Sequence, residues 1–528
     1  MTDQDGAGAP RLTLSVPNRP RYLRLVRDTA RDAARLAGFH SGGRRRVAGI
    51  VEELATVLMG GVEPREQLDV DVVCEVVPGG LSVTLHDGGP PFDPSRAGEA
   101  SAFVHGLLEE GSPDWVEFRN LGRSGRTVRI MFHHRKAAEA GADLPGESDD
   151  DDALLVSADR DLLVADSAAR ALAPGAAAEK PGAQGAAQAP SQPGDPLEFG
   201  LMRPEQAAAV SDCLYDTYRL TYVHEDMYHP LRIAALNESG AMISAVATAP
   251  DGTVVGHIAL SFEDDDRAVP EIGIAATRPE WRGQHVARRL AGLLLEEAAR
   301  RGLYGLYGEA ITVHTYSQHL NLEMGFGPCA VRLATVPGDR DFRGIERRSR
   351  HRNSALTMFR YLAEPSAVPL DVPDRHRDMI ARLYTWIGAP GRLAASPPGI
   401  LGEPARTAET AVSVRLNPVS SVAVLTLTGS GPDARERLHE ELRRLRESEF
   451  RVIDAAIDMT QPGAARAAGQ LEELGFLFSG IRPGGPQKDW LLLQYFNGVL
   501  VDYDVMAVES DRSHELVAYV RALDPDAA

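Results

Sequence analysis

Apolar residues recur along this 528-residue chain with two different periods, and the switches between them mark the elements. In the first third, Tyr22 to Ala37 carries helical spacing with Leu25, Ala33 and Leu36 on its inward face, and Val47 to Met59 forms a second helical stretch. Leu68 to Val77 and Leu81 to His86 alternate as strands do and join at Pro78-Gly79-Gly80. The run WVEFRNLGRSGRTVRIMF predicts a second hairpin. Together these define an α+β domain of about 115 residues, an ordinary size.

The pattern lapses from Ala137 to Pro196, where Ala, Gly, Pro and Gln dominate behind the acidic run Glu147 to Asp152. Such a stretch buries too little apolar area to offset ordering entropy and is expected to be a flexible linker. Leu154-Leu155-Val156 and Leu162-Leu163-Val164 interrupt it as small apolar islands.

Periodicity returns with a helix over Pro204 to Thr217 and a hairpin over AMISAVATAPDGTVVGHIALSFE, turning at Asp251-Gly252. A strand (Glu271 to Thr277), a strong helix (Gln284 to Arg301), a strand (Tyr307 to Thr312) and a helix (Tyr316 to Met324) follow. After Pro365 the later part reads strand (Val422 to Leu427), helix (Ala434 to Arg446), strand (Val452 to Ile457), helix (Ala464 to Leu474), strand, strand, helix. That order repeats the second half of the middle segment. The expectation is an α/β multidomain chain: a domain over 1–136, a linker over 137–196, a domain over 197–364 and a domain over 365–528.

Composition narrows the chemistry. Hydrophobic residues at 43% and charged residues at 25% are globular values. A formal net charge of -19 repels a phosphate backbone, so no nucleic acid is expected as partner; the Arg- and His-rich stretch Arg343 to Arg352 reads as a solvated loop. Cys74, Cys213 and Cys329 lack CxxC spacing, which predicts neither a disulfide framework nor a metal site. The start MTDQDGAGAP carries no basic-then-apolar signal and no segment is long enough to span a bilayer, so a cytoplasmic, membrane-free protein is expected.

The chemically informative stretch is EIGIAATRPEWRGQHVARRLAGLLLEEAARRG. A strand ends at Arg278-Pro279, a turn rich in backbone N–H donors follows, and a helix starts with the positive end of its dipole facing that turn. Arg282 adds charge, and Gly283 permits a conformation or a close approach that a Cβ obstructs. Val286, Leu290, Leu293 and Leu294 hold the helix on the sheet, and Arg300, Arg301 and Gly302 finish it. This is an anion-binding arrangement.

PEWRGQHVARRLAGLLLEEA resembles the pyrophosphate-arm motif of the GNAT acetyltransferases, and HTYSQHLNLEMGF resembles that family's next element, a helix ending in a Leu-Gly-Phe-like corner. The resemblance implies a mixed α/β GNAT fold over 197–364 and acetyl-CoA as cofactor. It implies that Thr277, Arg282, Gly283, Gln284, His285, Val286, Ala287, Arg288 and Asn321 contact the cofactor. His285 stands where the family usually has a second glycine, and Asn321 falls near its proton-donating tyrosine; Tyr316 lies about a turn and a half earlier. Glu271 resembles the glutamate with which several members deprotonate the amine, His314 is a second candidate base, and backbone N–H groups from Ala275 to Thr277 correspond to those that polarise the thioester carbonyl.

In the first domain, His86 to Pro94 (HDGGPPFDP) is similar to the D-x-G-x-P-F-D-P motif of the GHKL ATP-binding fold, in its anti-sigma-factor serine-kinase-like branch. The resemblance implies Glu53, Asp87 and Gly89 as nucleotide-site residues and ATP or ADP as a possible ligand. Val57 replaces the magnesium-binding asparagine and the glycine-rich lid over Arg96 to Trp115 is missing, so phosphoryl transfer is not expected. In the last domain, Leu471 to Phe476 echoes Leu322 to Phe326, which predicts a second, degenerate GNAT-like unit. Its turn Gly429 to Asp433 ends in an acidic N-cap that repels pyrophosphate, so it is assigned no cofactor. A ferredoxin-like arrangement has similar elements.

The reading is an N-acetyltransferase that moves acetyl from acetyl-CoA to an amine on a small molecule or protein, with the first domain regulatory and able to dock a protein partner. The alternative is a non-enzymatic regulator of a stress or sigma-factor circuit that uses both folds for sensing and docking.

Overall fold

The computed structural model describes residues 10–60, 68–91, 115–133, 191–262, 267–338 and 351–527. They fall into two compact units: Met1–Gln188 with Ala207–Tyr215 and His224–Ala234, and Ala189–Gln206 with Asp216–Val223 and Ala235–Ala528.

The first unit holds a five-stranded antiparallel sheet ordered β1 (Arg11–Pro17), β2 (Asp69–Val77), β3 (Gly80–Asp87), β5 (Arg126–His133), β4 (Trp115–Asn120). Two helices, Leu23–Leu36 and Ser41–Gly60, pack on it through Val26, Ala30, Ala33, Val47, Val51 and Leu54. The expected inward face of the first helix is corrected here. Ala33 is buried as expected, but Leu25 and Leu36 are 49% and 53% exposed, and the buried face is made by Val26, Ala30, Ala33 and Ala34. Both hairpins form as expected, with Val77 opposite Gly80 and Asn120 opposite Arg126.

The second unit is built on one twelve-stranded sheet that runs without a break across residue 364. One half, in order, is β6 (Glu198–Leu201), β7 (Met242–Thr248), β8 (Val254–Ser261), β9 (Glu271–Thr277), β10 (Gly305–Ile311), β12 (Asn353–Tyr361), β11 (Gly327–Val336). The other half, read from its far edge, is β13 (Ala411–Asn417), β14 (Val422–Gly429), β15 (Val452–Asp458), β17 (Lys488–Phe496), β16 (Leu477–Gly485). β8 to β11 and β13 to β16 thus follow one plan: antiparallel, parallel, antiparallel, antiparallel. The halves meet where β11 pairs with β16 at Ala330 and Gly480. A Cβ on Gly480 would lie 2.3 Å from the Cys329 carbonyl, so this crossing admits only glycine.

One hydrophobic core runs through both halves, from Val286, Leu290 and Leu294 to Leu425, Leu438 and Leu491. Buried charge is matched beside it: Arg392 and Asp489 are both inaccessible and joined at 2.8 and 3.2 Å, with Tyr384 donating to the same carboxylate. The acidic run and nearly all of the expected linker lie outside the described residues. At the linker's end, Ser191 exchanges hydrogen bonds with Asp251 on the β7–β8 turn.

Candidate functional site

The site begins at a defect in β9. His257 pairs with Ala276 and Ala259 with Gly273, so Ile258 of β8 faces two residues, Ile274 and Ala275. Ile274 absorbs this bulge with φ +53, a conformation that a β-branched residue adopts only under constraint. On the other side, β9 and β10 run parallel, yet Glu271 with Tyr307 is the single registered pair among the described residues. Beyond it no pair of the two strands is registered. This unregistered stretch, which starts at Glu271 and Ile272 and carries the bulge on one side, is the candidate slot.

Glu271 therefore stands at its start. Its carboxylate lies over Gly273, where an added Cβ would come within 2.8 Å of Oε1. Asn321 Nδ2 is 3.3 Å from the point a Gly308 Cβ would occupy, and the Ile272 carbonyl is equally near. The helix Tyr316–Glu323 thus brings Asn321 over the same ground. Tyr218, at the end of the helix Ala207–Tyr218, donates its hydroxyl to the Ala275 carbonyl at 2.5 Å.

Past the bulge the chain makes the expected turn. Pro279–Trp281 forms a 3-10 turn with Trp281 buried, and the helix is Val286–Arg300, beginning two residues later than Gln284. Gly283 has φ +80 and open space around its Cβ position. Backbone conformation, and not a close approach by another part of the chain, is its reason for being glycine. His285 is the N-cap and also left-handed, φ 58, which imidazoles tolerate better than most side chains. No side chain caps the helix, and the first helical N–H to find an intrachain acceptor is Arg289, on His285.

The two arginines of the turn are used differently. Arg278 is paired with Asp216 and donates to the Val254 carbonyl at 2.9 Å, whereas Arg282 is exposed and reaches the Thr277 carbonyl at 3.4 Å. Val286 is buried over Gly256, whose missing Cβ would sit 2.4 Å from it. Ala287 and Gln284 are half-buried, and exposed Arg288 faces Glu323 at 3.8 Å. Burial, with a further contribution from the Arg282 guanidinium, holds His314 below the ordinary imidazole range. Its ring is 5.0 Å from that of Tyr316, which is 72% exposed. Arg282 of the turn thus lies near enough to His314 to bear on its charge, and Glu271 and Asn321 stand at the start of the unregistered stretch.

One site residue escapes the sequence reading. His257 is wholly buried, its Nδ1 2.8 Å from the Ile274 carbonyl and its Nε2 3.0 Å from Ser244 Oγ. Burial lowers its pKa to about 4. The signal was a lone histidine inside the apolar strand VVGHIALS, where a polar ring needs a partner.

The nucleotide candidates of the first unit are not brought into an open site. Asp87 is inaccessible, bonded by Arg126 at 2.8 and 3.1 Å and by the Gly89 N–H at 3.2 Å. The guanidinium packs against Gly89, 2.7 Å from where a Cβ would be. Both Asp87 oxygens thus already accept hydrogen bonds from within the chain. Glu53 is exposed on the helix Ser41–Gly60, and Phe92, Asp93 and Pro94 of the motif lie outside the described residues, as does the expected lid. Among the described residues no group of three or more His, Cys, Asp or Glu is placed to hold a metal ion, and no helix is long and apolar enough to cross a membrane.

Residues 208–326 match the model of the acetyltransferase (GNAT) family, which makes the middle of this mixed α/β chain a GNAT domain. Solved structures similar to it include a putative acetyltransferase, yncA, from Salmonella typhimurium with its cofactor acetyl-CoA: 16% identity, 33% of this chain and 98% of that one, TM-score 0.27. Another is the ribosomal-protein-S18-alanine N-acetyltransferase of Escherichia coli, at 15% identity over 32% of this chain and 96% of that one, TM-score 0.26. No curated protein sequence matches the chain.

Proposed function

We propose that the segment 197–364 is an acetyl-CoA-dependent N-acetyltransferase acting on an amine. The observation that carries this is the slot between β9 and β10 opening beside a left-handed turn at an uncapped helix head. The donor set fits a pyrophosphate: N–H groups of the Gly283 to Arg288 stretch, the exposed Arg282 guanidinium, and open space over Gly283 that a diphosphate would fill. His285 places its imidazole at this rim as an additional donor. Bound there, acetyl-CoA supplies an activated acyl group as a thioester.

The chain's own residues supply the rest. Glu271 accepts the proton an acceptor ammonium must lose before its nitrogen can attack, directly or through water, with His314 the second base. Backbone N–H groups between Ala275 and Thr277 polarise the acyl carbonyl. Asn321 has no proton to give a departing thiolate, so that proton comes from water or from the Tyr316 phenol.

The C-terminal half enters as a second GNAT-like unit without cofactor, a reading supported by its repeated strand plan. The first unit enters as a docking module for a regulatory partner, since the Asp87 carboxylate is spoken for by Arg126. The test is a melting curve with CoA. CoA should raise the melting temperature of the full chain, and Gly283→Glu, which puts bulk and negative charge on the anion site, should abolish the shift. An unchanged shift in the variant places CoA elsewhere and sinks the reading.

A further inference from the structure

The bulge that shapes the slot is held by a side chain outside it. A carbonyl can only accept, so the 2.8 Å contact between His257 and the Ile274 oxygen requires the proton on Nδ1. That leaves Nε2 as acceptor, and the Ser244 hydroxyl donates to it at 3.0 Å. Ser244 Oγ in turn accepts from Asn237 Nδ2 at 3.2 Å, while Asn237 Oδ1 accepts the Ser244 N–H at 2.8 Å. Each of these bonds joins one donor to one acceptor, and the order runs one way only, from half-buried Asn237 through Ser244 and His257 to Ile274.

The consequence lies in the peptide that follows. In a planar trans peptide the carbonyl of one residue and the N–H of the next point in opposite directions. With the Ile274 oxygen drawn to the imidazole, the Ala275 N–H is turned away from it. Ala275 is exposed, its own carbonyl fixed from outside by the Tyr218 hydroxyl. The positive φ at Ile274 is what this rotation requires, and the His257 bond is what sustains it.

We propose that His257 is a positioning residue: its Nδ1–H fixes the Ile274–Ala275 peptide so that the Ala275 N–H meets the acyl carbonyl. The role rests on the acetyltransferase reading above. It assigns Ser244 and Asn237 the secondary task of selecting the tautomer.

Three measurements on the full chain test it. Nitrogen-15 NMR of imidazole-labelled wild type should show His257 neutral with the proton on Nδ1, and Ser244→Ala should mix the tautomers. Calorimetry with CoA should give a Kd within about 3-fold of wild type for His257→Leu and His257→Asn. Thiol release from acetyl-CoA, with water or a mixed amine panel as acceptor, should fall on the order of 10²-fold in His257→Leu. Part of that loss should return in His257→Asn, whose amide Nδ2 stands near Nδ1. A proton on Nε2 in the wild type overturns the proposal whatever the variants do, which covers the case that His257→Leu does not fold. A wild type that binds CoA and releases thiol, alongside a His257→Leu that does so equally fast, overturns the positioning role alone. A wild type that neither binds CoA nor releases thiol overturns the acetyltransferase reading beneath it.

Discussion

The two halves of the twelve-stranded sheet follow one plan and differ where it matters. In the first, β9 and β10 are registered only at Glu271 and Tyr307; in the second, β14 and β15 stay zipped from Val422 with Val452 to Leu427 with Ile457. The open pair carries a left-handed Ile274, and the zipped pair is regular throughout. The helix heads differ too. Open space surrounds the Cβ position of Gly283 before Val286–Arg300, whereas the head of Ala434–Glu447 is covered by the chain's own residues. A Cβ on Gly431 would lie 2.2 Å from the Ala408 carbonyl, and Asp433 turns its carboxylate to the Thr410 N–H and hydroxyl and not to its helix. A parallel strand pair at this place in the plan thus has two uses. Left open it forms a slot lined with backbone donors, and closed it is core.

If the zipped pair is core, its side chains bear stability. Leu425 is wholly buried on β14, and Leu425→Ala should cost about 2–5 kcal/mol in urea unfolding. A loss under 1 kcal/mol would break the comparison. On the open side Glu271 is expected to act chemically, so Glu271→Gln should keep CoA affinity and lose roughly 10²-fold in kcat/KM near neutral pH. That loss should shrink as pH rises, because the acceptor ammonium then loses its proton to solvent without help; a ratio of wild type to variant that is flat with pH removes Glu271 from the mechanism.

The brace behind the slot gives a smaller, pH-dependent effect. His257 titrates at about 4 in the folded chain against an ordinary 6.5, so below 6.5 the unfolded chain takes up a proton that the folded chain refuses. Its contribution is fully present above that pH and is lost as pH falls toward 4, amounting to roughly 2 kcal/mol by pH 5. Stability curves for wild type and His257→Gln at pH 7 and pH 5 should differ in slope by that amount, and parallel curves would show that the ring titrates normally. The smallest expected effect is none. Asp433→Arg should leave CoA bound at one per chain, because the helix head stays covered and β14 and β15 stay paired; two CoA per chain by equilibrium dialysis would mean that charge alone separates the halves.

Much of this was legible in the residues. Strands and helices of both halves declared themselves through period and through glycines at turns, and the Arg282-Gly283 turn was readable because an anion site at a helix head has a local signature. β1, β6, β12, β13, the helix Pro230–Glu238 and the helix Arg377–Trp386 carry no such signal and are seen only in the structure. The slot was also hidden, since a lapse in register is a relation between two strands that neither encodes alone. His257 shows the same limit: its meaning depends on a carbonyl seventeen positions away that only the bulge turns toward it. Leu25 and Leu36 were misassigned because helical spacing fixes which residues share a face and leaves open which face is buried.

The crossing of β11 and β16 has a consequence for synthesis. β11 is the outermost strand of its half, and the edge it does not share with β12 stays bare until β16 arrives, roughly 150 residues later in the chain. At ordinary elongation rates of about 5–20 residues per second, that interval is on the order of 10–30 s. During it the ribosome-bound nascent chain presents Cys329, Val331 and Leu333 beside unpaired backbone, which is the kind of surface that draws other growing chains or a holding chaperone.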